Sequence, residues 1–159
     1  MKFAGKKVYT ASPFFDEDMI QRLEKVEKVL ADNGCPMYQP RFDGPDLGPD
    51  ASEEDRNLAF NDNVKNIKEA DFIVAVTDRK DMGTIWEAGC AYGLGIPVIY
   101  YCDSLPEGAT FNVMLAKSAV SVAQSPDELD RIIKGEQIHY TGAIRWWNQN
   151  LIYLKILKF

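Results

Sequence analysis

Histidine is scarce: His139 is the only one in 159 residues. Neither a histidine-rich metal site nor a relay of several imidazoles can be built from it. Cysteine is nearly as sparse. Cys35, Cys90 and Cys102 are odd in number and unrelated in spacing, which excludes a disulfide framework and a zinc-type site and fits a reducing cytoplasm. No apolar run reaches the ~18 residues of a membrane helix. The opening MKFAGKKVYTASPFF has no apolar stretch ending in a small-residue cleavage site, so no signal peptide or membrane partner is expected. Positive charge is also in deficit: 18 Lys and Arg face 24 Asp and Glu, for a net charge of −6 with no basic stripe. That balance argues against a nucleic-acid partner. The GxxxxGK[ST] phosphate loop is missing, and the glycines do not fall in GxGxxG order.

What remains is an ordinary globular composition, 46% hydrophobic and 26% charged, in a chain long enough for one domain with a real core. Residues 7–11 are short, apolar and β-rich, and Ser12-Pro13 breaks them. Over 16–33 the apolar positions Met19, Ile20, Leu23, Val26, Val29 and Leu30 recur at helical spacing, with Asp16 and Glu17 at the start and Asn33-Gly34 as a stop. A second strand is expected over 35–39, then a long loop over 40–50. Ser52 and Asp55 form a capping box opening a helix that runs to about Glu69.

The run DFIVAV over 71–76 suits a parallel strand covered on both faces. A helix over 84–94 closed by Gly95, a strand over 97–101, a strand over 119–122 and a helix over 125–134 complete the pattern. Strands alternating with helices predict an α/β fold, a parallel sheet of about five strands covered on both faces. Ligands in such sheets bind at the carboxyl ends of the strands, here after Ala11, Gln39, Val76 and Tyr101. The last segment, 138–159, carries Trp146, Trp147 and LIYLKILKF. It is expected to pack on a neighbouring subunit or to cover a sheet edge, as a tail to a single domain spanning 1–159.

The stretch TDRKDMGTIWEAGCAYGLGIP follows the third strand. Gly83-Thr84 would start a helix and place Glu87 about one turn in, facing the cleft above the sheet. Gly89 would leave the backbone close to a neighbour. A carboxylate desolvated by Trp86 and Tyr92 suits a nucleophile or a general acid/base. The plain alternative is an acid that merely favours a helix N-terminus, and spacing alone prefers it.

Four segments in order shift that balance: VYTASPFF, FNDNVKNIKEAD, DMGTIWEAG and FNVML. Together, over roughly 8–115, the sequence resembles the nucleoside 2-deoxyribosyltransferases. The resemblance implies a flavodoxin-like three-layer α/β fold and homo-oligomers with active sites shared between subunits. It implies transfer of 2-deoxyribose between a 2′-deoxynucleoside and a free purine or pyrimidine base, with no metal or cofactor. Glu87 matches the nucleophile that forms a covalent deoxyribosyl ester, and two inversions give retention, as in retaining glycosidases. Tyr9 matches the tyrosine that orients that carboxylate; otherwise it is a strand-end aromatic that packs. Phe14 and Phe15 match the walls of the base site; otherwise one of them staples the first helix. Asp81 matches an acid on the sugar hydroxyls, with Gly83 beside it; a lone loop aspartate is otherwise a turn former. Asn112 and Met114 match an Asn-x-Met element that enters the neighbouring subunit's site; otherwise Asn112 caps a short helix.

One position departs from the family pattern. Where many members carry an aspartate against the leaving base, this chain has Asn63, which holds a base edge but delivers no proton. The neighbouring Asp62 would point about 100° away on the helix. Two other functions compete. A nucleotide N-glycosidase needs a 5′-phosphate site, but the loop TASPFFDED has no arginine and added acids. A non-catalytic nucleoside sensor is allowed by the fold alone, but it has no need of a tyrosine aimed at a carboxylate. A flavoprotein or a phosphoryl-accepting receiver ranks lower.

Overall fold

The structure is a computed structural model that describes residues 1–45, 47–106 and 108–145. Along the chain the elements are β1 (Val8–Ala11), α1 (Glu17–Asp32), β2 (Met37–Tyr38), α2 (Pro40–Asp43), α3 (Glu53–Glu69), β3 (Phe72–Val76) and α4 (Met82–Gly93). They continue with β4 (Val98–Tyr101), β5 (Phe111–Asn112), α5 (Val113–Ser118), β6 (Ser121–Ala123), α6 (Pro126–Ile133) and β7 (Ile144–Arg145). The main sheet is parallel throughout, in the order β2-β1-β3-β4-β6. The chain lays β2 on one side of β1 and then returns to place β3 on the other. A crevice therefore opens above the β1–β3 junction, the topological switch point. This is the flavodoxin-like α/β fold expected from the sequence, with its five-stranded parallel sheet.

Alternation along the strands feeds two cores. Val8, Phe72, Val74, Ile99 and Tyr101 face Val26, Leu30, Leu129 and Ile133 of α1 and α6. Tyr9, Ala11, Ile73, Ala75 and Tyr100 face Ile67, Ala88 and Ala91 of α3 and α4. Each large side chain fully buried in this way stabilises the fold by roughly 1.5–3 kcal/mol. The helices start where their caps are. Asp16 accepts from Met19 N at 2.9 Å, Ser52 and Asp55 close the expected capping box, and Ser125 accepts from Glu128 N at 3.2 Å.

The strand-end loops are tied to α1 by a network of charges. Arg22 Nη1 donates to Asp78 Oδ1 and Asp103 Oδ1, both at 2.8 Å. The Asp78 side chain is 2% exposed, and Lys25 reaches the other oxygen of Asp103 at 3.0 Å. Burial and shared cations fix the segments after β3 and β4 above α1.

Several expected boundaries shift. β2 is two residues long, and the expected loop 40–50 contains α2, which Pro40 initiates at its first position. α4 begins two residues earlier than the glycine-centred start, because Asp81 rather than Gly83-Thr84 opens it. The fifth strand of the sheet is Ser121–Ala123, not 119–122. β5 and β7, a separate parallel pair, are too short to carry a periodic signal. β7 belongs to the expected tail; residues 146–159, with Trp146 and Trp147, lie outside the described residues. No helix among the described residues is long and apolar enough to cross a membrane. The three cysteines are free, Cys35 and Cys102 buried.

Candidate active site

β1 and β2 are neighbours in register, with Tyr9 opposite Tyr38. Registered residues on adjacent strands point to the same face about 4.8 Å apart. The two rings therefore stack, with centroids 5.4 Å apart and planes within 16°. Tyr9 is fully buried, and its hydroxyl emerges beneath α4, where it donates to Glu87 Oε1 at 2.6 Å. A bond this short between a phenol and a carboxylate has the length of a charge-assisted hydrogen bond. It occupies one carboxylate oxygen and leaves the other for the cavity.

α4 sets where that carboxylate stands. Lys80 takes a left-handed φ of +52°, turning the chain after β3 so that Asp81 caps the helix. Asp81 Oδ2 accepts from Thr84 N at 2.8 Å and from Thr84 Oγ1 at 3.1 Å. A Cβ at Gly83 would meet Asp81 Oδ2 at 3.1 Å, so glycine leaves the cap uncrowded. Glu87 follows in the second turn, about one turn in as the sequence placed it. Burial pushes its carboxyl up, the Tyr9 bond pulls it down and the charge of Asp81 pushes it up again, to about 7. Tyr9 itself is held far above its ordinary range, first by burial and then by the charge of Glu87. It remains a proton donor at all physiological pH values.

Glu87 lines a cavity of about 750 Å³ at the carboxyl end of β1. Phe14, Phe15, Asn63, Asp81 and Gly83 line the same cavity, together with Ser12, Arg41, Phe42 and Leu47. Seven of the nine residues expected from the sequence are thus brought together: Tyr9 and Glu87 by their bond, the other five by the shared wall. Asn112 and Met114 are not among them. Asn112 caps α5, its side chain accepting from Met114 N at 2.9 Å. Both line a second cavity of about 730 Å³ with Thr77, Asp78 and Cys102.

Other expectations are corrected. Trp86 and Tyr92 do not line the cavity and do not dry Glu87. They are 49% and 59% exposed, and Trp86 packs on Phe60 at 5.3 Å between ring centroids. Gly89 makes no close approach, since a Cβ there would meet nothing within 4 Å. Asp62, as expected, does not join Asn63 in the cavity wall; on its own side of α3 it accepts from the Tyr38 hydroxyl at 2.6 Å, a partner the sequence did not indicate. An arginine does stand in the cavity wall: Arg41, on α2, paired with Glu27 of α1. Tyr38 and Arg41 lie just before and within the expected loop. Only the rule that strand ends carry the site pointed there. Among the described residues no group of three or more His, Cys, Asp or Glu is placed to hold a metal ion.

A family model of the nucleoside 2-deoxyribosyltransferases matches residues 8–118. The chain belongs to the nucleoside 2-deoxyribosyltransferase family. Among solved structures, it is similar to a 2-deoxyribosyltransferase from the psychrotolerant bacterium Bacillus psychrosaccharolyticus. The two share 31% identity and a TM-score of 0.69, over 78% of this chain and 90% of that one. A conserved protein from Enterococcus faecalis V583 matches at 18% identity and a TM-score of 0.55, over 97% of this chain and 99% of that one. A CMP N-glycosidase from Clostridium botulinum matches at 19% and 0.52, over 80% and 98%. The last two likenesses are of fold. No curated protein sequence matches the chain. The family match ends with the last residue of α5, so it covers β1 through Asn112 and Met114 and leaves the tail outside.

Proposed function

We propose that this nucleoside 2-deoxyribosyltransferase family member transfers 2-deoxyribose between a 2′-deoxynucleoside and a free purine or pyrimidine base through a covalent ester on Glu87. The observation that carries the reading is the 2.6 Å bond from the Tyr9 hydroxyl to a Glu87 carboxylate that lines a cavity with ample room for a nucleoside. In the first half-reaction, the free Glu87 oxygen attacks the anomeric carbon. The bond from that carbon to the base nitrogen breaks and the base leaves with the electron pair. In the second, a nitrogen of another base attacks the same carbon and gives up its proton, through water, to the departed base anion, while Glu87 departs as carboxylate. The anomeric configuration is inverted twice and so retained. Tyr9 keeps the carboxylate aimed and stabilises it as it leaves the ester.

The remaining wall supplies binding. Phe14 and Phe15, with ring centroids 5.5 Å apart, offer faces on which any nucleobase stacks. Asn63 presents a donor and an acceptor to the base edge. Asp81 caps α4 through Oδ2, which leaves its other oxygen to accept from a sugar hydroxyl. Asn112 and Met114, on a different cavity of their own chain, serve the site of a second copy. Exposed apolar side chains beside Glu87, Phe60 on α3 packed on Trp86 of α4 with Met82 one turn before it, are the kind of surface a partner subunit covers. The one arginine in the cavity wall is paired with Glu27, which favours an uncharged 5′-hydroxyl over a phosphate.

Incubation with one 2′-deoxynucleoside and a different free base, followed by chromatography, is expected to yield the exchanged nucleoside, with slow hydrolysis beside it. Release of free base without any exchanged product would overturn transfer and make the protein a nucleoside hydrolase.

A further inference from the structure

Tyr9 has a single hydroxyl proton, and the Glu87 bond takes it. Among the described residues nothing else is hydrogen-bonded to that hydroxyl, so the ring's placement depends on packing. The ring it stacks on is anchored. Tyr38 donates to Asp62 Oδ2 at 2.6 Å, and Asp62 Oδ1 accepts from Asn66 Nδ2 at 3.3 Å. Four elements are therefore linked in series: α3 holds β2 through Asp62, β2 holds β1 through the stacked rings, and β1 holds Glu87 of α4. The same Tyr38 oxygen lies 3.4 Å from Asn63 Oδ1, so one phenol touches both the group behind the carboxylate and the cavity wall.

We infer that Tyr38 and Asp62 are positioning residues. They fix the Tyr9 ring, so that its hydroxyl stays within bonding distance of Glu87 while the substrate enters. The geometry has a physical consequence. A carboxylate that accepts a well-aligned hydrogen bond is favoured in its charged form. Loosening Tyr38 lets Tyr9 drift, weakens that bond and moves the Glu87 titration upward. The charged and titratable groups around Glu87 are Tyr9 from β1, Asp81 from the start of α4 and, in the wall of the same cavity, Arg41 of α2 paired with Glu27 of α1, with Tyr38 and Asp62 behind Tyr9. Only the first two act on it directly. The catalytic meaning of this support rests on the proposed role of Glu87; the coupling of Tyr38 to Glu87 does not.

The test follows the Glu87 carboxyl by NMR in protein carrying 13C-labelled glutamate, its signal assigned by loss in Glu87→Gln. In the unaltered protein the midpoint is expected near 7, and in Tyr9→Phe about one pH unit higher or more. Tyr38→Leu, which removes both ring and hydroxyl, is expected to reproduce at least half of the Tyr9→Phe shift. Tyr38→Phe, which keeps the stack and loses only Asp62, is expected to move the midpoint by less. Asp62→Ala on the Tyr38→Phe background is expected to add nothing, because the link is already cut. If Tyr9→Phe moves the midpoint and neither Tyr38 variant does, the inference is overturned. Should Tyr38→Leu fail to fold, Tyr38→Phe decides by the same criterion. Base exchange measured alongside is expected to lose turnover with KM unchanged within about twofold. Absence of exchange in the unaltered protein would overturn the proposed reaction, while the titration still judges the coupling.

Discussion

Asp81 and Glu87 stand on the same helix, one as its cap and one in its second turn, and the charge of the first raises the titration of the second. The cap oxygen accepts from Thr84 N at 2.8 Å, so the acid that aligns α4 also tunes the carboxylate that α4 presents. Glu87 attacks as an anion, whereas its carboxyl titrates at about 7. The rate of the first half-reaction is therefore expected to rise as pH passes through 7 and to level off above it. Asp81→Asn keeps the cap, because asparagine caps as well as aspartate, but removes the charge. The rise is then expected at lower pH. Rapid-quench measurement of base release between pH 5.5 and 8.5 checks both, and a flat profile would contradict them.

Glu87→Gln is expected to abolish exchange, by a factor of roughly a thousand or more, and to stabilise the protein. The folded carboxyl titrates at about 7 against an ordinary value of 4.5. The native state therefore binds the proton more tightly than the unfolded state. Its contribution to stability is complete below about 4.5 and is lost as pH rises through 7. At pH 8 the buried carboxylate costs up to ~3 kcal/mol, which the amide avoids. Thermal unfolding should show a higher Tm for Glu87→Gln at pH 8 and a gain close to zero at pH 4.5. A stability gap that does not change with pH would contradict the assignment.

Asp78→Ala is expected to destabilise the fold while sparing the chemistry. Its side chain is 2% exposed and bonded to Arg22 at 2.8 Å. Its removal takes one carboxylate from Arg22, which keeps Asp103 at 2.8 Å, and the acceptor of Ser104 N, at a cost of about 1–3 kcal/mol. Chemical denaturation measures the loss. The Glu87 titration midpoint is expected to stay where it was, because Asp78 is not among the groups that move it.

Sharing of sites between copies has a complementation signature. Glu87→Gln and Asn112→Ala are each expected to be inactive alone. Unfolded together and refolded as mixed dimers, they should recover roughly a quarter of the unaltered activity, since half the dimers are mixed and each carries one intact site. No recovery would mean that Asn112 acts within its own chain or not at all.

The layer order and the strand ends were legible in the sequence because DFIVAV, PVIYY and the 16–33 helix carry strong periodic or continuous apolar signals. Ser52 with Asp55 marked the start of α3 to the residue. Cavity lining by Phe14, Phe15, Asn63, Asp81 and Gly83 followed from motif order, and the Tyr9–Glu87 bond from the resemblance. What escaped depends on contacts between segments far apart in the chain. Helical rotation alone sends Asp62 away from Asn63, but it does not say that Tyr38 of β2 waits on that side. Arg41 reads as a loop residue until α2 folds it over Glu27. Trp86 and Tyr92 lie near Glu87 in sequence yet occupy the exposed side of α4, and local aromatic content says nothing about which side that is. β5 and β7, at two residues each, are defined only by one another.

The most direct measurement is intact-protein mass spectrometry after mixing the enzyme with a 2′-deoxynucleoside and no acceptor base. The expected result is a species heavier by one deoxyribosyl group, mapped to Glu87 by peptide analysis, discharged by added base and absent in Glu87→Gln. Base exchange that proceeds with no such species in the unaltered protein, or unimpaired in the amide variant, would contradict it.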